Sequence, residues 1–468
     1  MQQARRWLRP EWWSRNLTVV LAARVSMSAG RALAGVITPI YLALEGFSAV
    51  RLSEYVLTVA ICSAGLSTFA GTVSDRIGRK SFLIAMPLLT AAAGATFAVT
   101  ADAPLLFVMG ALGSFGRGAG AGAGAVGPYQ PAESALVTDT LEARHRNDAF
   151  GRLAFGSSLG ATAGGLLALL VPSSHVHGSA ATAVFRAGFI AVAAVSAFAG
   201  LLALALVERP FWRPEAAGSG GGAPPATAAR GPERPGSDSS TAGVPTRSGR
   251  RRRRLLPEKS RWLLYRLWLT NGLNGMAIGM FGPFVTYWFF RRFGAGASEV
   301  GILFAVINAV TTVSVLSAAG LARRLGLVRT VAIVRTMQAV LLVPMVLSPS
   351  FALAGAIYFV RMVVQRIGLP LRQSYTLGLA DPEERGSVAA LSNLPSQVAM
   401  AGSPLLTGYL FEEVSLSLPF EIAAALQLAN AASFWAFFRH HPPDEERDEI
   451  EVPPLSIQPA AATDAVDP

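Results

Sequence analysis

The chain has 468 residues, of which 52% are hydrophobic and 15% charged, with a mean hydropathy of +0.43 and a net charge of +11. A water-soluble domain carries about 25% charge, so this composition excludes an ordinary soluble protein and points to one embedded in a lipid bilayer. The basic excess lies in termini and connecting segments, as the positive-inside rule requires, which excludes nucleic acid as the expected partner, and the single cysteine, Cys62, excludes an internal disulfide or a cysteine-based metal or redox centre.

Apolar runs of the roughly 20 residues needed to span a bilayer predict six helices near 17–44, 54–71, 81–100, 104–127, 149–172 and 183–207. Six more fall near 261–290, 299–320, 328–348, 351–377, 388–411 and 418–438. The first run follows Arg5, Arg6 and Arg9 as a signal peptide would, but it is too long for one and no cleavage pattern follows, so it is expected to be a membrane helix. The expected fold class is an all-α integral membrane protein with two six-helix bundles, 1–207 and 259–441. Residues 208–258 join them, with GSGGGAPPATAA and the run Arg250 to Arg254; Gly, Pro and Ser without apolar period predict a disordered linker. An even number of helices on each side puts linker and termini in one compartment, and the arginines assign it to the cytoplasm of a plasma-membrane protein. Residues 442–468 read as a disordered acidic tail.

Between the second and third runs stands GTVSDRIGRK, Gly71 to Lys80. Its glycines permit a tight turn and close helix approach, and Arg76, Arg79 and Lys80 hold it on the cytoplasmic side. Asp75 adds little to topology and needs another purpose. The segment, with Gly71, Asp75, Arg76, Gly78, Arg79 and Lys80, closely resembles the signature loop of the major facilitator superfamily. That resemblance implies a secondary transporter, not an enzyme, with two pseudo-symmetric halves and no cofactor. It also implies that Asp75 sits near the start of the eleventh helix, around Ser387 to Ala390, where a helix N-terminus favours a carboxylate by about 0.3–1 kcal/mol. There it would close the cytoplasmic side.

The halves resemble each other. GVITPIYLAL in the first helix and GMFGPFVTYWF in the seventh each place a proline (Pro39, Pro283) four residues after a glycine (Gly35, Gly279). PAESALVTDTLEARHR after the fourth helix is matched by PLRQSYTLGLADPEER after the tenth, and GLARRLGLVRT is a worn copy of the signature loop that keeps Arg323 and Arg324. Six-plus-six repetition is the facilitator architecture, with a central site between the halves.

In the fifth helix, Gly156, Gly160, Gly164 and Gly165 resemble the antiporter motif of facilitator exporters, although Ala161 stands where the family has proline. Glycines four apart let helix backbones approach closely, so tight packing alone and an exporter role both remain open. Gly116, Gly120 and Gly124 of the fourth helix share one helix face. Without a Gly-Lys-Ser/Thr ending the stretch is not a phosphate loop.

Ionisable groups at membrane depth are costly and usually functional. Arg31, Arg117, Arg361 and Arg366 lie within the first, fourth and tenth helices, and the seventh carries Asn271 and Asn274. The resemblance implies that these four helices line the central cavity. The expected substrate-binding set is therefore Arg31, Arg117, Asn271, Asn274, Arg361 and Gln365. Several guanidinium groups and no midplane acid favour an anionic solute; pairing with backbone carbonyls or with Glu133 and Asp139 is the alternative. Arg24 and Arg335, nearer the cytoplasmic ends, are expected to snorkel. Glu54, Glu133 and Asp139 are the candidate proton sites, and exchange against a counter-anion would need none. Tyr287 and Trp288 read as interfacial belt or cavity wall, and His175 and His177 as a solvated loop.

The leading expectation is a monomeric carrier that moves a small organic, anionic solute across the bilayer by alternating access, leaning towards efflux. A proton-coupled multidrug exporter, betrayed by aromatic and methionine side chains facing inward, is the alternative. A non-transporting receptor on the same scaffold, with a filled cavity, is the third.

Overall fold

The computed structural model describes residues 12–116, 127–171, 179–207, 261–314, 326–378, 388 and 391–439. Every regular element among them is helical. The first half contains α1 (Arg15–Leu44), α2 (Ala49–Ile77), α3 (Arg79–Val99), α4 (Ala103–Leu112), α5 (Tyr129–Thr140), α6 (Ala143–Leu167) and α7 (Ser179–Leu204). The second contains α8 (Arg261–Phe281), α9 (Val285–Phe293), α10 (Ala297–Ser314), α11 (Leu327–Val340), α12 (Leu342–Val346), α13 (Phe351–Gly378), α14 (Leu394–Glu413) and α15 (Leu418–Phe438). Counting the pairs α4/α5, α8/α9 and α11/α12 as one membrane helix each, the described residues form twelve membrane helices in two bundles. The expected linker 208–258 and tail 442–468 lie outside the described residues, as do His175, His177, Arg323 and Arg324.

Helix starts follow from local chemistry. Ser14, Ser48 and Asp102 each accept a hydrogen bond at 3.3 Å from the backbone N–H three residues on, capping α1, α2 and α4. Gly71–Lys80 departs from the expected loop: α2 continues helically to Ile77 and α3 begins at Arg79. Gly78 alone makes the turn, at φ +101°, a conformation open mainly to glycine. Gly71 instead lies on the helix, where a Cβ would touch Pro131 of α5 at 3.9 Å.

Within each half the helices are brought together by small residues, as expected where lipid removes the hydrophobic drive between helices. Gly160 and Gly164 of α6 lie so close to the Val25 and Ala29 carbonyls of α1 that a Cβ would overlap them. In the second half the roles swap, with Gly275 and Gly279 of α8 against Ser396 and Met400 of α14. The halves meet at the end opposite Gly78. There a Cβ on Gly165 would stand 2.7 Å from the Gly301 carbonyl of α10, and one on Gly408 of α14 would stand 2.6 Å from the Ala49 carbonyl of α2. The backbone N–H of Val50 also donates to Glu412 Oε2 at 3.1 Å.

Large apolar side chains such as Ile61, Phe198, Leu201 and Val360 point outward. A surface of that kind needs lipid around it. Six of the described spans are long and apolar enough to cross a membrane by themselves. Tyr287 and Trp288 belong to neither belt nor cavity: they are 4% and 0% exposed and pack into an aromatic cluster with Phe411 and Phe420.

Candidate functional site

A cavity of about 600 Å³ lies between the halves, lined by residues of α1, α2, α3, the α4 end, α5, α8, α13 and α14. Phe115, Phe281 and Tyr358 form its buried end, whereas Gln130 and Gln397 are exposed, so it opens towards the Gly78 end. Its volume falls within the range of small-molecule sites. Arg31 is the only charged residue among the described lining, and no carboxylate is among them. Around it stand hydroxyls (Ser63, Ser67, Thr90, Ser114) and the amides of Gln130, Gln365 and Gln397.

The wall beside Arg31 is built by a break in the fourth rod. The sequence predicts one helix over 104–127, but α4 stops at Leu112 and α5 starts at Tyr129. Glycine is a poor helix former, and the backbone here takes positive φ at Ser114 (+52°), Gly116 (+76°) and Gly127 (+60°). Gly116 is therefore a turn residue, not part of a helix-packing face. The carbonyls released by the break find side-chain donors, because an unpaired one would be costly at this depth. Thr90 Oγ1 donates to the Gly113 carbonyl at 3.1 Å and the Tyr55 hydroxyl to the Phe115 carbonyl at 3.2 Å. Ser114 Oγ pairs with Ser63 Oγ at 2.6 Å. Gly127 leaves space for the cation: a Cβ there would stand 2.9 Å from Arg31 Nη1. Arg117 lies outside the described residues.

Of the other expected substrate residues, Gln365 lines the cavity and three do not. Asn271 Nδ2 donates to the Ser392 carbonyl at 2.8 Å, tying α8 to the start of α14. Asn274 Oδ1 accepts from Asn430 at 3.5 Å, and Asn430 in turn accepts from Arg335 at 2.6 Å. Arg361 is 0% exposed inside the second half. It donates to the Gln338 carbonyl at 3.1 Å and Gln427 Oε1 at 3.3 Å, and its guanidinium lies 4.0 Å from the Phe281 ring centroid.

Arg24 and Arg335 do not snorkel. Arg24 is 8% exposed and pairs with Glu133 of α5; Arg335 is 7% exposed and also stacks on Phe434. Each finds its partner inside its own bundle, which a reading of helix position alone misses. Among the candidate proton sites, Glu133 is 0% exposed, while Glu54 is exposed and Asp139 is exposed and paired with Arg79.

At the Gly78 turn, Arg79 reaches Asp139 at the end of α5, and Lys80 Nζ donates to the Leu206 carbonyl at 2.6 Å. The side chains of Asp75 and Arg76, and residues 379–387, 389 and 390, lie outside the described residues. Gly156, Gly160 and Gly164 face α1, and Gly165 faces α10 across the halves. Position in the apolar tenth run gave no hint of Tyr358. Its spacing with Met362 and Gln365, one helix face at i, i+4 and i+7, is the signal that would have found it.

A sequence profile described as Major Facilitator Superfamily matches residues 20–265 and 267–465. No curated protein matches the chain. Among solved structures, a bacterial homologue of the human lysosomal transporter Spinster, inward-facing and unoccupied, superposes with a TM-score of 0.62 at 13% identity, covering 92% of this chain and 96% of that one. The nucleoside transporter NupG gives 0.65 at 12% identity, covering 91% and 100%. The inward-open xylose transporter XylE from E. coli gives 0.63 at 12% identity, covering 92% and 99%. At such identities the likeness is one of fold.

Proposed function

Because the chain belongs to the Major Facilitator Superfamily, and so is a multi-pass membrane transporter of small solutes working by alternating access, we propose that its solute is a small organic anion and its direction export. The observation that carries the anion is the cavity itself: among its described lining residues Arg31 is the one charged side chain, and no Asp or Glu stands with it in that lining. A guanidinium with hydroxyl and amide neighbours binds a carboxylate or phosphate with good geometry. Export rests on the α6 glycines and their resemblance to an exporter motif.

In this reading the Gly78 end, rich in basic residues, faces the cytoplasm and the membrane is the plasma membrane; the closed end is then external and the conformation inward-facing. The carrier acts as a monomer. Its cycle rocks one half against the other about the cavity, drawing on a counter-anion or on protons. If protons drive it, Glu133 is the site the geometry favours, being the buried carboxylate of the three candidates. Glu133→Gln then stops uptake driven by a pH gradient into proteoliposomes; anion exchange survives the change.

A second reading, export of lipophilic compounds, has its own observation. Phe115, Phe281, Met362 and Met400 give the cavity apolar faces.

Thermal unfolding of the purified protein with small anions, lipophilic cations and neutral metabolites separates the two. A ligand at 100 times its Kd raises stability by about 2.7 kcal/mol. The anion reading expects a shift with anions that disappears in Arg31→Gln. Shifts confined to lipophilic cations, unchanged in that variant, would replace it with the second reading.

A further inference from the structure

The cavity has a second polar pole on the opposite half. Tyr358 of α13 lines its closed end, is 0% exposed, and its hydroxyl has no hydrogen-bond partner. Arg361 and Arg366 are its electrostatic neighbours, and among the described residues neither pairs with a carboxylate. The hydroxyl thus stands in a positive field, where it favours donating to a negatively charged acceptor. Gln365, two turns further along the same helix, points an unpartnered buried Oε1 at the same space.

Depth separates these groups. At 1.5 Å per residue, Arg31 and Gln365 both lie about 20 Å from the closed ends of α1 and α13, whereas Tyr358 lies about 10 Å from its end. One compact oxyanion held at Arg31 does not reach Tyr358.

We propose that the transported anion is an elongated dicarboxylate. One carboxylate pairs with Arg31 of the first half, the other accepts from Tyr358 of the second, and a hydroxyl or amine on the carbon next to the first carboxylate donates to Gln365, which lies at the depth of Arg31. This rests on the anion reading above and adds the second carboxylate to it. Bridging the halves in this way gives the ligand contacts that change as the halves rock, as a ligand must have if it is to shift a conformational equilibrium.

The test is titration of the full-length protein in lipid nanodiscs with butyrate, succinate, glutarate and adipate, comparing wild type, Tyr358→Phe, Gln365→Leu and Arg31→Gln. Wild type is expected to bind at least one dicarboxylate about tenfold tighter than butyrate. Tyr358→Phe removes one oxygen that has no partner, so the fold is retained, and it should weaken dicarboxylate binding about tenfold while leaving butyrate unchanged. Arg31→Gln should abolish binding of both. If Arg31→Gln abolishes binding but Tyr358→Phe leaves every dicarboxylate unaffected, the second pole is wrong and the anion reading stands. If butyrate and the dicarboxylates all fail to bind wild type, both fall together. Gln365→Leu gives a separate check, because hydroxylated succinate should lose its advantage over succinate in that variant; an advantage retained there removes Gln365 from the site.

Discussion

Charged side chains inside the described bundles sit in different surroundings, and these predict different mutational behaviour. Arg24 and Glu133 face each other in a single bundle with almost no exposure. Removing one partner strands the other in low dielectric and costs about 3–5 kcal/mol, whereas replacing both with apolar residues of similar size is near neutral or stabilising. Arg24→Met and Glu133→Leu should therefore each lower the unfolding temperature sharply, and the double variant should recover most of the loss. Additive losses would mean that the pair contributes no coupling. Arg31 differs: it is half-buried and lines the cavity. Its neighbour Gly127 offers a way to perturb the guanidinium without deleting it: a Cβ there enters its space at 2.9 Å. Gly127→Ala is expected to weaken anion binding by tenfold or more in the titration that reads Arg31→Gln.

At the scale of the helix, glycine acts here in two opposed ways. On α6 it lets backbones touch: Gly160→Leu drives a side chain into the Val25 carbonyl of α1. Overpacking of this kind costs about 1–3 kcal/mol or more, and Gly151→Leu, where nothing lies within 4 Å, should be tolerated. Thermal unfolding of the two variants in one detergent checks the contrast. In the fourth rod glycine instead serves the turns beyond the end of α4. Gly116 sits at φ +76° with Thr38 Cγ2 3.0 Å from its Cβ site, so Gly116→Ala adds left-handed strain of about 1–2 kcal/mol together with a clash. The α6 packing motif was legible in the sequence because glycines four apart on a helix let a neighbouring backbone approach. The break was not, because ten or so glycine and alanine residues in an apolar run read equally as packing face or as helix terminus.

For the whole molecule, closure at one end and a cavity open at the other make a directional prediction. Cys62 is the only cysteine, so Cys62→Ser provides a clean background. In it Gln397→Cys, exposed at the cavity mouth, should react with a membrane-impermeant thiol reagent applied from the Gly78 side, whereas Ser53→Cys, buried against Gly408, should not. Saturating solute should change the Gln397→Cys rate several-fold if the halves rock. Equal reactivity at both positions would contradict the closure of the α2–α14 end.

Composition and the twelve apolar runs determined that this is a helical membrane protein, since lipid leaves few ways to satisfy a backbone, and the repeated loop motifs determined that its halves are related. Local chemistry also carried a tight turn within Gly71–Lys80 and singled out Arg31 as a charge at membrane depth, with pairing to backbone carbonyls as its alternative explanation. Tertiary structure decided the rest. Arg361, Asn271 and Asn274 look like site residues along their helices, but each points into its own half, where carbonyls and amides hold it. Tyr358, which the sequence reading passed over, reaches the cavity beside the expected Gln365 because of how α13 is rotated against its neighbours. Rotation of a helix about its own axis depends on what packs against it from elsewhere in the chain, and no local stretch of sequence contains that information.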